Sequence, residues 1–275
     1  MTATLYTFGL SVWGAAAELA VFELGCTNVQ TYTIDLVKGD NFDPSFVSLN
    51  NSASIPTLYT QGRVLTSTTE IISHLVAIKG KQPSVDRAWI DKVHEDGLDP
   101  NFCLLLARNK DELQAKAAGV PGEFVRNRQE SLLKHFVSPA AASFKPFYSS
   151  KIASNGAVLA IYNSSAPQST TEDFFRQSQE HVARVQQFIL TDLAQHLSAA
   201  KGSAFLGGEI PGEEDFHVGA WLARIAMTSG AHKSEEGIQK LQEAMGKPVP
   251  GSVKAYWERW SARSSWKEVY LATLH

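Results

Sequence analysis

Ser11 is the side chain best placed to do chemistry. It follows a short β-rich run, Thr4 to Phe8, and the turn residue Gly9. It precedes Ala15 to Leu24, a helix former with Leu19, Ala20, Phe22 and Glu23 at helical spacing. Its hydroxyl therefore falls at or near a helix N-cap, and two readings stay open. As a cap, the oxygen accepts from the amide of the second or third helical residue and contributes about 1 kcal/mol. As a functional group, the hydroxyl and the first-turn amides face a bound anion or thiolate, which the positive helix end favours. Other reactive side chains are less well placed. Tyr6 lies inside the strand and reads as scaffold. Cys26 and Cys103 form no disulfide framework and share no metal-ligand spacing; the first reads as a small turn residue and the second as core. His217 and Trp221 lie four apart on one helix and read as packing. No glycine-rich phosphate loop, zinc cluster or serine-histidine-acid pattern stands out, so no metal is expected.

The elements that must hold Ser11 come next. Val29 to Leu36 supplies a second strand, and Ala53 to Tyr59 a third, entered through Pro56. Gln61-Gly62 turns a hairpin into Val64-Leu65, and Thr69 to Ile78 closes the unit as a helix. The order βαβ, loop, ββα predicts a compact α/β layer. Ile78 to Pro83 is polar and punctuated, and reads as a linker.

Everything after the linker reads as helical. Ser84 or Asp86 starts a helix carrying Trp89, Ile90 and Val93; Asp99-Pro100 supplies the cap and first residue of another. Gly119 to Gly122 breaks the chain, Glu123 to Val137 is helical, and Pro139 restarts it. A second break at Ala166 to Thr171 holds Ser169 and Glu172 at capping-box spacing. Phe174, His181, Val185, Phe188, Ile189 and Leu193 then share one face, with Ser178 in the gap, as the spine of a bundle. Near the end, Tyr256, Trp257, Trp260 and Trp266 sit among Lys254, Glu258 and Arg259, charges of alternating sign that fit packing better than nucleic-acid binding.

At 275 residues and 30.1 kDa the chain can bury a sizeable core in one large or two ordinary domains. A net charge of −3 gives no drive toward DNA or an acidic membrane. Residues 1 to 17 carry no charged side chain, yet they lack a positive start and their apolar run is interrupted at Ser11 to Gly14. They read as a buried strand and helix of a cytoplasmic protein, with no apolar span of membrane length elsewhere.

This order of elements resembles the glutathione transferase family: a first strand followed by Ser11, the segment Asn50 to Pro56 matching the family's Asn-Pro-x-x-x-Val/Ile-Pro stretch, and a helical remainder. The resemblance implies an α/β thioredoxin-like N-terminal domain over residues 1–79. An all-α C-terminal helical-bundle domain follows over 84–275, with an extended region at 119–168 that either covers a substrate pocket or forms an accessory hairpin. It implies that Ser11 is catalytic and that Trp13, Ser54, Ile55, Pro56, Ser67 and Thr68 bind glutathione, the co-substrate. Ile55-Pro56 looks like the family's cis-proline corner, where the preceding backbone pairs with an extended peptide ligand.

Three departures qualify the match. The stretch Leu65-Thr66-Ser67-Thr68 places Ser67 where the family has the acid that receives the γ-glutamyl ammonium. A serine accepts a hydrogen bond without charge, and charge-assisted bonds are about twice as strong. Ser54 replaces a common Lys or Gln, with Asn51 where proline is usual. Gly212 replaces the cap hydroxyl that normally opens the central helix of the second domain, while Asp215 keeps the position from which a carboxylate reaches back to the cap amide. Asp215 is therefore assigned to folding.

The expected activity is attack of the glutathione thiolate on a small apolar electrophile by a homodimer with no nucleic-acid or membrane partner. The alternatives are a non-catalytic ligand-binding or protein-interaction relative, and a specialised glutathione-dependent peroxidase or isomerase.

Overall fold

The computed structural model describes residues 2–84, 87–200 and 202–275. The N-terminal elements are β1 (Ala3–Thr7), α1 (Val12–Glu23), β2 (Val29–Thr33), α2 (Pro44–Leu49), β3 (Thr57–Thr60), β4 (Arg63–Leu65) and α3 (Thr68–Ile78). There follow α4 (Ala88–Val93), α5 (Pro100–Leu105), α6 (Lys110–Ala118), α7 (Val120–Phe136), α8 (Lys145–Tyr162) and α9 (Gln168–Phe188). A π-turn at Ile189–Leu193 leads into α10 (Ala194–Ala199), then α11 (Glu213–Thr228), α12 (Gly237–Met245), α13 (Gly251–Ala262) and α14 (Ser264–Val269). The protein is thus a small thioredoxin-like α/β layer with a mostly helical remainder, the class expected from sequence. By packing it divides into two units: residues 1–32, 56–103 and 181–275 form the first, and residues 33–55 and 104–180 the second.

In the first unit the four strands run in the order β2-β1-β3-β4. β1 is antiparallel to β3, with Leu5 opposite Leu58, and β3 to β4, with Thr60 opposite Arg63. The hairpin closes through Gln61 and Gly62 at φ 51° and 75°. Left-handed backbone at both positions suits the twist of the strands, as in a type I′ turn. β1 buries Ala3, Leu5 and Thr7 and leaves the alternate residues half-covered, the period-two pattern of a strand with one packed face.

That face meets α1, whose Val12, Gly14, Ala15, Ala16, Ala17, Leu19 and Ala20 are buried. α1 packs in turn on α3, α11 and α14. Small residues permit the close approach. A Cβ on Gly14 would stand 2.6 Å from Thr7 Oγ1 and 3.1 Å from Ser11 Cβ, so the first turn of α1 fits against β1 only with glycine there. At the other end, Arg263 donates Nε and Nη2 to the Glu23 carboxylate at 2.5 and 2.6 Å and Ser265 donates its hydroxyl to it, which ties α14 to α1.

α11 is the most enclosed helix of this unit, buried from Asp215 through Ala226. Asp215 closes its N-terminus as expected: Oδ2 accepts the amides of Gly212 and Gly207, both at 2.8 Å, and Oδ1 accepts the Leu206 amide at 2.9 Å and the Tyr256 hydroxyl at 3.0 Å. One residue pair earlier, the buried Glu213 carboxylate accepts the Ser84 amide at 2.5 Å and the Ser73 hydroxyl, with Arg87 3.8 Å away. The linker and α3 are thereby fastened to α11.

The second unit surrounds α7 and α8, which pair as a hairpin. Leu132, Ala141 and Tyr148 pack with Phe42, Val47 and Ala53 of the segment before Pro56. Tyr148 donates its hydroxyl to Phe42 O at 2.7 Å, Ser131 to Gly39 O at 2.9 Å, and Asn41 its amide to Ala53 O at 2.8 Å. Within this unit α7, α8 and the turn between them hold the 33–55 segment.

Several boundaries differ from expectation for local reasons. The second strand stops at Thr33 rather than Leu36, since Asp35 Oδ1 accepts the amides of Val37 and Lys38 and turns the chain. The loop before β3 contains α2, capped by Asp43 on the Ser45 amide with Pro44 in its first turn. Gly119 alone separates α6 from α7, and Val120-Pro121-Gly122 is already helical because the missing proline amide costs nothing in a first turn. Ser169 lies inside α9 and caps nothing; Gln168 bonds Glu172 at 2.7 Å instead. Ser84 is not helical, Asp86 lies outside the described residues, and α4 begins at Ala88.

Replacing Asp215 by Ala leaves three part-buried amides and the buried Tyr256 hydroxyl without this acceptor and should lower stability by roughly 3 kcal/mol or more in urea unfolding. A loss under about 1 kcal/mol would contradict the hub role. Burial raises this carboxyl to about 6, above its ordinary value of about 3.9. The part of the stability linked to its protonation is therefore full below about pH 4 and lost as pH rises through about 6, a slope that Asp215→Asn should remove.

Candidate functional site

The turn from β1 into α1 is built to leave polar groups open. Ser11 is extended (φ −100°, ψ 121°) and its Oγ accepts the Gly14 amide at 3.1 Å, so it is the N-cap that its position predicts. Its own amide donates to Phe8 O at 2.8 Å and its carbonyl receives the Ala15 amide at 2.8 Å. The cap engages only the oxygen. The hydroxyl hydrogen has no acceptor among the described residues, and neither do the amides of Val12 and Trp13. Three donors thus remain at the positive end of a twelve-residue helix, which favours an anion there. The two readings of Ser11 are compatible in one geometry.

A second helix start lies at α3. Ser67 is its N-cap, exposed, extended and without a side-chain cap bond; its carbonyl receives the Ile71 amide at 3.0 Å. Thr68 is buried at the first helical position. Pro56 is buried immediately before β3. All of these belong to the first unit with Ser11 and Trp13.

Ser54 and Ile55 end the first segment of the second unit. Asn50 Nδ2 donates to Ser54 O at 2.9 Å and to Ser54 Oγ at 3.2 Å, while Ala53 adopts a left-handed φ of 52°. The exposed Ser54 side chain is occupied by a neighbour in its own loop.

The Trp13 side chain faces inward. Its ring stacks on His94 with centroids 3.8 Å apart, and His94 Nε2 lies 2.9 Å from His217 Nδ1, one imidazole donating to the other. His217 is fully buried and its Nε2 has no hydrogen-bond partner among the described residues. Sequence reading treated His217 as a solitary packing histidine; its partner His94 lies 123 positions away and carried no local signal. The Trp13 indole is thus engaged on His94, while its backbone amide has no acceptor among the described residues.

Two further groups behind the turn escaped the sequence reading. Thr7 donates to the half-buried Glu18 at 2.7 Å, and Arg224 donates to Leu10 O at 2.5 Å. The signal for the second was present: one arginine inside the otherwise apolar run Val218 to Met227. A separate cavity of about 390 Å³ is lined by Leu24, Val76, Lys81, Ile210, Pro211 and Glu214, and none of the residues assigned to glutathione borders it. Among the described residues no group of three or more His, Cys, Asp or Glu is positioned to hold a metal, and no helix is long and apolar enough to cross a membrane.

Residues 1–77 match the family model for the glutathione S-transferase N-terminal domain. Over the whole chain the fold is similar to that of poplar glutathione transferase F1, at 13% identity and a TM-score of 0.55 with 98% of this chain and 96% of that one covered. It is similar to beta-etherase LigF from Sphingobium sp. strain SYK-6, at 19% identity and a TM-score of 0.58 with 98% and 99% covered. It is also similar to a glutathione transferase family member from Pseudomonas fluorescens pf-5, solved with two glutathione bound, at 14% identity and a TM-score of 0.52 with 98% and 92% covered. No curated protein sequence matches the chain.

Burial lowers His94 to about 4 and His217 well below its ordinary value. The pair is neutral at physiological pH, and its stability contribution is full above about 6.5 and lost as pH falls toward about 4. Imidazole NMR signals of His94 should stay fixed between about pH 8 and about pH 5. A His94 midpoint near 6.5 would contradict the buried stack.

Proposed function

We propose, from the premise that this chain is a divergent member of the glutathione transferase family, that it binds glutathione and transfers its thiolate to a small apolar electrophile. The observation that carries the reading is the set of open donors at the start of α1: the Ser11 hydroxyl with the Val12 and Trp13 amides. A free thiol has a pKa near 8.5, so abundant thiolate near neutral pH needs a depression of about two units, or about 2.7 kcal/mol. A hydroxyl bond, two amides and a helix end can together supply that amount. Ser11 is the catalytic residue in this reading, because its hydrogen bond strengthens as the sulfur becomes negative.

The remaining contacts follow the family pattern. Thr68, Ser67 and the first-turn amides of α3 suit the γ-glutamyl end, while the backbone at Ile55 beside Pro56, with Ser54, suits the peptide portion. Trp13 contributes its amide. The neighbouring fold solved with glutathione bound supports the ligand class. The same reading carries a thioredoxin-like glutathione domain over 1–79, a helical domain over 84–275, a homodimer and a cytoplasmic location.

A non-catalytic binder is the second reading, and Ser67 favours it. Without a carboxylate there, the ammonium of glutathione loses a charge-assisted partner. Turnover separates the two.

Ser11→Ala should lower kcat/KM for glutathione conjugation to a dinitrophenyl halide by about 10- to 150-fold, the loss of one bond to a charged group worth roughly 1.5 to 3 kcal/mol. Glutathione affinity by calorimetry should change far less, since the bond matters most to the thiolate and the transition state. Ser67→Ala should act mainly on that affinity. Unchanged kcat/KM in Ser11→Ala would reduce Ser11 to a cap; glutathione binding without turnover in the wild type would establish the binder.

A further inference from the structure

Arg224 sits in the middle of α11 with 3% of its surface exposed. Among the described residues no carboxylate lies within 4.0 Å of its guanidinium, and its Nε has no hydrogen-bond partner. A buried cation left without a counter-charge is costly, so its single strong contact is informative. Nη2 donates to Leu10 O at 2.5 Å.

Leu10 O and the Ser11 amide are the two ends of one peptide group. The Ser11 N–H is fixed to Phe8 O at 2.8 Å, and Arg224 fixes the opposite end. The peptide that sets the direction of the Ser11 side chain is therefore clamped from both sides. The clamp on the inner side is positively charged and stands one peptide group behind the open donors of α1.

The groups facing Arg224 do not neutralise it by contact. Asp99 and Cys103, from around the start of α5, and Tyr270, after α14, lie within its field. Tyr270 also feels Glu18 of α1, and its ring lies 4.8 Å from that of His275. The Tyr270 hydroxyl and His275 Nε2 are themselves without hydrogen-bond partners among the described residues. Burial holds His275 down to about 4 and Tyr270 far above its ordinary range, so both are neutral at physiological pH. Burial lowers Arg224 only to about 10, which leaves it charged.

We propose that Arg224 is a positioning residue for the thiolate of glutathione: it locks the Leu10–Ser11 peptide and supplies, from behind, the positive charge that the bound sulfur anion completes. This rests on the glutathione reading of the Ser11 site. It assigns the counter-ion of a buried cation to the substrate instead of to the protein. Glutathione is accordingly preferred over an S-alkyl analogue by an amount that depends on Arg224.

The test titrates the thiolate absorbance of bound glutathione against pH for wild type, Arg224→Gln and Arg224→Lys, beside calorimetric binding of S-methylglutathione, which cannot ionise at sulfur. Gln can still donate to Leu10 O but carries no charge; Lys keeps the charge. Arg224→Gln should raise the bound-thiol pKa by about one unit, a tenfold loss of thiolate at fixed pH, while S-methylglutathione affinity changes less than about twofold. Arg224→Lys should stay within about half a unit of wild type. An unchanged pKa in Arg224→Gln overturns the proposal, as does an equal loss of both ligands in that variant, which would mark a purely structural role. Should the Gln variant fail to fold, a Lys variant whose bound-thiol pKa returns to that of free glutathione overturns it. Wild-type protein that binds S-methylglutathione but leaves the glutathione pKa at its free value overturns this inference together with thiolate activation at Ser11, and leaves glutathione binding standing; wild type that binds neither ligand overturns the glutathione reading as well.

Discussion

A helix buried along its length but open at its first turn is the constraint from which the rest follows. α1 lies with almost every small residue covered by the sheet, α3, α11 and α14, so its direction is fixed by packing and not by its own propensity. Its first amides have no intrahelical acceptors and must be satisfied elsewhere. Ser11 takes one of them, the Gly14 amide. Those of Val12 and Trp13 have no acceptor among the described residues. Glycine at 14, the Glu23 anchor to Arg263 and the Arg224 clamp on Leu10 each hold the helix or its entry turn from a different side.

The helical remainder serves the same end at longer range. Asp215 gathers the loop 206–212 onto the start of α11, and Glu213 draws in Ser73 of α3 and the Ser84 amide. α11 is then held firmly enough to present Arg224 to the back of the site turn. In the other unit, the α7–α8 hairpin grips the segment that ends in Ser54 and Ile55 through Tyr148 and Ser131. The extra length at 119–168 thus has a mechanical use in that unit.

What could be read from sequence was what short-range chemistry determines. Ser11 as cap, Gln61-Gly62 as hairpin turn, Asp99-Pro100 as helix start and Asp215 as cap partner each depend on neighbours within a few positions. The misread features depend on distant partners or on competition between equal local signals. His217 reads as packing until the fold brings His94 to 2.9 Å from it, and Arg224, on which the sequence reading is silent, finds its acceptor in Leu10, 214 positions earlier. At 168–172, Ser169 had the spacing of a cap, yet the helix began one residue sooner and absorbed it. The roles of Ser54 and Ser67 came from family resemblance, since an exposed serine carries little signal of its own.

The central claim is that glutathione lies across the starts of α1 and α3 with its sulfur at Ser11. Titration of nitrogen-15-labelled protein with glutathione, followed by amide chemical shifts, tests it most directly. The account predicts the largest changes at the amides of Val12 to Gly14 and of Thr68 to Glu70. Changes centred instead on Ile210, Gly212 and Glu214, around the separate cavity, or no saturable change at millimolar glutathione, would contradict it.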